Sequence, residues 1–278
     1  MEKLPKLYLS LCCALLLFSC QKDTNLNPTE KRELAKKKYK AAIKFRQGST
    51  PFQNGIADAV AIDPLYSQGV YELSVADLKR GLPHKWLPQY NKAVVLDSVT
   101  RIPWRGYLYL WFYRDYKKAI ADFDASDTLT PEFIDVPQGH TVDYWRGIAY
   151  LGLKNYEKSN WYFEKHIAKE IKDFGEDYVD VTAFLYNGIS YFEAGNYEKA
   201  LLNFNKQLKY SRNLSADAKY YKAKILKAEN KNSEALESIN EAILDYSKGY
   251  SNTRAYVETL RQLYPQDFTE LKTKLIGL

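Results

Sequence analysis

GIAYLGLKNYEKSNWYF at residues 147–163 and GISYFEAGNYEKALLNF at residues 188–204 are two copies of one pattern. Each opens on glycine (Gly147, Gly188), places tyrosine three positions on (Tyr150, Tyr191), turns at Asn-Tyr, and closes on phenylalanine (Phe163, Phe204). A short segment that recurs along one chain marks a unit unable to bury its apolar side alone, so it stacks on copies of itself. The central Asn-Tyr has turn-favouring chemistry, so each copy is expected to be two helices joined by a tight turn. Helices that cross closely need small residues where their backbones meet and large ones in the flanking gaps. Gly147, Gly188 and Ala223 fill the small sites on first helices, and Ala119, Ser159, Ala200 and Ala235 fill them on second helices. The large sites are Tyr150, Tyr191 and Leu226, then Phe123, Phe163, Phe204 and Ile239. Turns fall at Arg114-Asp115-Tyr116, Lys154-Asn155-Tyr156, Gly195-Asn196-Tyr197 and Asn230-Lys231-Asn232.

The pattern Gly-x-x-Tyr-x-x-x-x-Asn-Tyr-x-x-(Ser/Ala)-x-x-x-Phe resembles the tetratricopeptide repeat. That resemblance implies an all-α, right-handed superhelical solenoid of helix-turn-helix units and a binding role rather than a catalytic one. Four clear units are expected over residues 99–249. Two degenerate units are expected within residues 30–98, because the breakers Asp63-Pro64, Asp97-Ser98 and Thr130-Pro131 recur 34 and 33 residues apart, near the family period of about 34. In these two units Phe52 and Trp86 stand where alanine is usual. Residues 250–278 are expected to form capping helices, Ser251 to Leu263 and Gln266 to Ile276, with Lys272, Thr273 and Lys274 giving the polar outer face that a terminal repeat needs. Pro131 to His140 and Ile171 to Asp180 are longer than a tight array requires and are either binding inserts or solvated loops.

The N-terminus has its own reading. Lys3 and Lys6 precede an apolar run from Leu7 to Phe18 that is too short to span a bilayer, so residues 1–19 are expected to be a signal peptide. Leu17-Phe18-Ser19-Cys20 resembles a bacterial lipobox, which implies lipidation at Cys20, followed by a tether over residues 20–29. Gln21-Lys22-Asp23 looks like the export tag of surface lipoproteins in Bacteroidota-type bacteria, implying a lipid-anchored outer-membrane protein facing either the cell surface or the periplasm. Cys12 and Cys13 lie in the signal segment, so removal of that segment and lipidation of Cys20 would leave no thiol for a disulfide or a nucleophile. The basic stretch from Lys31 to Arg46 carries more positive charge than the chain's net +6. It is either a solvated helix face or one that lies against anionic head groups. Export argues against nucleic acid as a partner.

No catalytic constellation is present. His84, His140 and His166 are the only histidines, and none sits in a metalloprotease, nucleophile-elbow or phosphate-loop context. His140 is expected to cap a helix or lie at the surface rather than act as a ligand. Asp122, Asp124 and Asp127 imitate the opening of a calcium loop but lack its glycine and bidentate glutamate, so they are expected on an exposed helix face. The chain is therefore expected not to be an enzyme and to need neither a metal nor a cofactor.

What the family resemblance leaves is a concave groove lined by first helices. Carried onto this chain, the groove positions are Tyr71, Lys79, Arg101, Trp104, Arg105, Trp111, Phe112, Tyr144, Ile148, Leu185, Ile189, Phe192, Asp217, Tyr220, Lys224 and Lys227. Register in the third unit is ambiguous by one residue, because Gly106 to Tyr116 is one longer than Gly147 to Tyr156. Aromatic residues give large contact area at low entropy cost, and the terminal cations suit carboxylates. The paired asparagines of a carboxylate clamp are replaced by Ala41 and Glu72. Three functions follow: an adaptor for a protein or peptide partner in the cell envelope, a glycan-binding lipoprotein, or a spacer whose groove is filled by its own loops.

Overall fold

A computed structural model describes residues 26–277. The expected signal segment, Cys20 and the first part of the tether lie outside the described residues. The described chain is all-helical, with thirteen α-helices and no strand, in two compact units that divide between Leu96 and Asp97.

The first unit contains α1 (Pro28–Ala42), α2 (Thr50–Ile62), α3 (Ser67–Lys79) and α4 (Pro83–Leu96). Helix α1 takes in the last two residues of the expected tether. The Asn27 side chain accepts from the Glu30 backbone, Glu30 accepts from Asn27 in return, and Pro28 has the φ that a first turn requires. It ends at Ala42, short of the expected Arg46. Its buried residues are only Ala35 and Ala42, so Lys37, Lys38 and Lys40 remain in solvent while Arg32 pairs with Asp63 at the end of α2. Helices α1 and α2 approach most closely where a Cβ on Gly55 would lie 2.7 Å from that of Ala42. The small contact has moved away from Phe52, which is buried beside Ile56, and Trp86 is buried against Tyr90 at 5.4 Å.

The second unit stacks four hairpins. These are α5 (Ser98–Leu108) with α6 (Tyr116–Leu129), α7 (Val142–Gly152) with α8 (Tyr156–Phe174), α9 (Val181–Glu193) with α10 (Tyr197–Tyr210), and α11 (Ala216–Ala228) with α12 (Asn232–Ser247). The small-against-large rule is met in each. A Cβ at Gly106, Gly147 or Gly188 would stand 2.7, 2.8 or 2.6 Å from the ring of Phe123, Phe163 or Phe204, and those rings are fully buried. Ala223 and Ile239 are both fully buried in the fourth hairpin. The four turns share one geometry, in which Arg114, Lys154, Gly195 and Asn230 adopt left-handed φ of 53°, 58°, 79° and 61°. The following Asp115, Asn155 and Asn196 then cap the second helix by accepting from the third backbone N–H at 3.2, 3.1 and 3.1 Å. The extra residue of the third unit is absorbed by a π-helical turn over Tyr109–Tyr113 that follows α5, closed by Asp115 N donating to Tyr109 O at 3.1 Å.

Helix α13 (Pro265–Ile276) packs Phe268, Leu271 and Leu275 against Ala235, Ile239 and Ala242 and seals the last hairpin. Between α12 and α13 the expectation of a helix fails. Residues 251–264 are irregular, with left-handed φ at Tyr256 and Arg261. Their polar side chains and backbone groups are spent on other parts of the unit, which leaves none of the i to i−4 bonding that a helix needs.

Candidate functional site

Residues 251–263 run as a strap along the first helices of the second unit. Near α11, Ala216 N donates to Tyr250 O at 2.8 Å, and Asn252 N donates to Asp217 Oδ2 at 2.8 Å. The Asn252 side-chain amide donates to the Tyr186 hydroxyl on α9 at 2.9 Å. Arg254 donates to the Tyr107 hydroxyl on α5, and its guanidinium lies 4.3 Å from the Trp111 ring centroid and 5.4 Å from that of Tyr107. Arg114 donates to the Glu258 carbonyl, and Arg261 returns to α9 to make a two-pronged pair with Glu193 at 2.5 and 2.8 Å. Leu260 and Leu263 are buried. Thr259 Oγ1 donates to Asn252 O at 2.8 Å and folds the strap on itself.

A cleft of about 260 Å³ opens beside the strap, walled by Tyr107, Trp111, His140, Tyr144, Trp145 and Tyr186 on one side and by Asn252 and Arg254 on the other. Trp145 Nε1 donates to Pro137 O at 2.9 Å, which folds the 131–140 insert against α7, and Asp135 accepts from Ser126 and Thr130 to hold that insert from behind. His140 does not cap the helix. Thr141 does, accepting from Tyr144 N at 3.3 Å, while His140 stacks on Tyr144 at 4.2 Å. Burial lowers the pKa of His140, and burial lowers that of His166 to about 4 with its Nδ1 3.0 Å from Thr141 Oγ1. Burial raises Asp217 to about 6, against the lowering effect of the Asn252 N–H.

The sequence-marked residues fall into distinct settings. Tyr71 lies in the first unit, where its ring meets Tyr90 edge-on at 5.7 Å, and Lys79 there donates to Gln47 at 2.5 Å. Arg101 is buried 3.7 Å from Asp97, and Arg105 makes two bonds to Asp122 at 2.8 and 2.7 Å. Asp122 is therefore not on an exposed face. Asp124 and Asp127 are exposed as expected, and they join Asp143 around the buried Arg146 at 3.1, 2.6 and 2.9 Å. Burial alone would lower the pKa of that guanidinium, but Asp127, Asp143 and Asp124 outweigh it and hold the group above its ordinary value. Trp104 is half-buried, edge-on to Tyr107 at 5.8 Å, and Phe112 is half-buried in the π turn. Trp111, Tyr144, Ile148, Leu185, Ile189 and Asp217 are buried. Lys224 sits 4.9 Å over Phe192 and 5.6 Å over Tyr220, and Tyr220 packs edge-on against Phe268 of α13 at 5.4 Å. Lys227 shares a second cleft of about 260 Å³ with Asp267, Glu270 and Lys274. No group of histidine, cysteine or acidic residues suited to a metal occurs among the described residues, and none of their helices is long and apolar enough to cross a membrane.

Tyr107, Tyr186 and Glu193 meet the strap but were not marked from the sequence. Tyr186 and Glu193 each follow a marked position by one residue, so on α9 the face that meets the strap is rotated by one residue from the family register, while Trp111 and Asp217 meet it in register.

No protein-family model and no curated protein matches the chain. Solved structures do. PilW, a widely conserved type IV pilus biogenesis factor, is similar at a TM-score of 0.62 with 16% identity, over 77% of this chain and 94% of that one. Pseudomonas aeruginosa pilF gives 0.58 and 15%, over 80% and 97%. A tetratricopeptide repeat protein from Parabacteroides merdae gives 0.52 and 16%, over 96% and 90%. The fold is that of the tetratricopeptide repeat proteins. The side chains that the strap meets at a distance in sequence include Tyr107, Trp111, Arg114, Tyr186, Glu193 and Asp217, each on a first helix or in the turn after it.

Proposed function

We propose that the chain is a lipid-anchored, non-enzymatic adaptor whose second unit holds an extended segment of another envelope protein on its first-helix face. One observation carries this reading: an irregular segment, the strap, is already seated on that face through backbone and side-chain hydrogen bonds to three different first helices. A face that can hold thirteen residues of its own chain has the polar partners and aromatic walls to hold those of another. The lipobox resemblance at Cys20 supports an outer-membrane location, and the structural similarity to a pilus biogenesis factor fits a role in an envelope assembly.

The test is crosslinking in intact cells followed by detergent extraction of the tagged protein, comparing wild type with a Trp104→Ala, Phe112→Ala variant. Both side chains are half-buried, so circular dichroism is used to check that the variant folds. Loss of one reproducible protein partner in the variant is expected. Identical partners in both, or none in either, would remove the adaptor reading.

A further inference from the structure

The chemistry of the strap's seat specifies what the face selects. Sequence alone suggested a groove whose terminal cations suit carboxylates, with Arg101 and Arg105 among its positions. Those two arginines are taken up by Asp97 and Asp122 within the unit. What the face offers to the strap is the reverse: the π-faces of Trp111 and Tyr107, the Tyr107 hydroxyl, and the carboxylates of Glu193 and Asp217. Two of the strap's side chains enter these seats as cations, Arg254 between the aromatic rings and Arg261 in the fork of Glu193, seven residues apart. A guanidinium suits both, since it stacks on aromatic faces and bonds carboxylates in two-pronged fashion. Resting on the adaptor reading above, we infer that the strap is an intramolecular stand-in for the partner, and that the partner segment is an extended stretch of another protein carrying two arginines at about this spacing.

The strap's contacts also explain how such a site is kept selective. A tethered segment competes at an effective concentration on the order of millimolar, so a weakly matched chain cannot displace it and a well-matched one can. Displacement of residues 252–261 leaves the rings of Phe123, Phe163 and Phe204 fully buried in their own hairpins, and Leu263 stays in the core that the last hairpin shares with α13.

A fluorescent peptide with the sequence of residues 250–264 is the probe. It is titrated by polarisation against the full chain and against a strap-released variant, Asn252→Ala, Arg254→Ala, Arg261→Ala, with helicity checked by circular dichroism. If the triple variant loses helicity, Arg254→Ala alone replaces it. The released variant is expected to bind the peptide at least tenfold more tightly than wild type, in line with removing a competitor of roughly millimolar effective concentration. A peptide in which both arginines are alanine should lose at least tenfold on the same variant. Equal binding to wild type and variant, no binding to a folded variant, or indifference to the two arginines would overturn the inference. So would concentration-dependent dimers of wild type that vanish in the variant, since the occupant would then be the strap of a second copy. If the peptide fails while Trp104→Ala, Phe112→Ala still loses a cellular partner, only the arginine-segment inference falls. If the peptide binds and nothing co-purifies from cells, it is the adaptor reading that falls.

Discussion

Asp217 gives the most exacting test of the strap, because its carboxylate is buried and its hydrogen-bonded contact is the strap's backbone at Asn252. Burial raises its pKa from 3.8 to about 6 in the folded chain. The folded state therefore binds a proton more readily than the unfolded state between about pH 4 and 6, and stability must fall as pH rises through that window. A shift of roughly two units corresponds to about 3 kcal/mol, complete above the folded pKa. Asp217→Asn keeps an oxygen to accept from Asn252 N–H and removes the titration.

His166 makes the comparison with the variant necessary. Burial lowers its pKa from 6.5 to about 4, so the unfolded state binds the extra proton, and stability from this group rises with pH over nearly the same window, also by about 3 kcal/mol. The two slopes oppose one another, and the wild-type stability profile should be flatter between pH 4 and 6.5 than either group alone would make it. Urea unfolding of wild type and Asp217→Asn, at half-unit steps from pH 4.5 to 7.5, separates them. The difference in unfolding free energy should change by about 2–3 kcal/mol across the range, with the variant gaining on wild type as pH rises. Any constant cost of the new amide group cancels in that difference. A pH-independent difference, or one of opposite sign, would show that Asp217 is not buried under the strap.

Two further substitutions probe the hairpins. Gly188→Ala should destabilise by about 1–3 kcal/mol in urea unfolding, because the new methyl would meet the Phe204 ring at 2.6 Å; a gain of about 1 kcal/mol, the helix-propensity benefit alone, would refute the close approach. Arg146→Ala should cost about 3–5 kcal/mol, since it leaves Asp143 buried with only Lys165 at 2.9 Å to balance it. The pair Arg146→Met, Asp143→Leu should recover most of that loss by thermal melting, and failure to recover would mean that packing rather than charge is what Arg146 supplies.

The hairpins were legible because their signals are local. Gly147 predicts Phe163 at a fixed spacing, and Asn155 predicts its own cap, since both belong to a motif of seventeen residues whose geometry is set by backbone and near neighbours. The one-residue excess in the third unit was visible as a length mismatch, but its resolution as a π turn over Tyr109–Tyr113 was not, because the choice between bulging the helix and lengthening the turn depends on how Leu110 and Trp111 bury. The acids of α6 show the same boundary. Asp122 looked solvent-facing by period, yet it faces Arg105 on the neighbouring helix, and neither residue alone carries that information.

The strap was illegible for a stronger reason. Leu260 and Leu263, with Tyr256 and Val257 before them, have a helix-like apolar spacing, so a local reading makes residues 251–263 a capping helix. What decides otherwise is the sum of distant contacts: Arg254 with Tyr107, Asn252 with Tyr186, Arg261 with Glu193. Forming that helix would forfeit two two-pronged or aromatic guanidinium seats and leave Asp217 buried without the Asn252 N–H. Unsatisfied buried acceptors cost about 1–3 kcal/mol each, and more when charged, whereas an isolated helix of that length is marginal in water. The long-range term wins. A segment held by side-chain anchors rather than by its own secondary structure can also be replaced by any chain that brings the same anchors, and this is why the failure of the local reading falls at the proposed binding face and not in the hairpins beneath it.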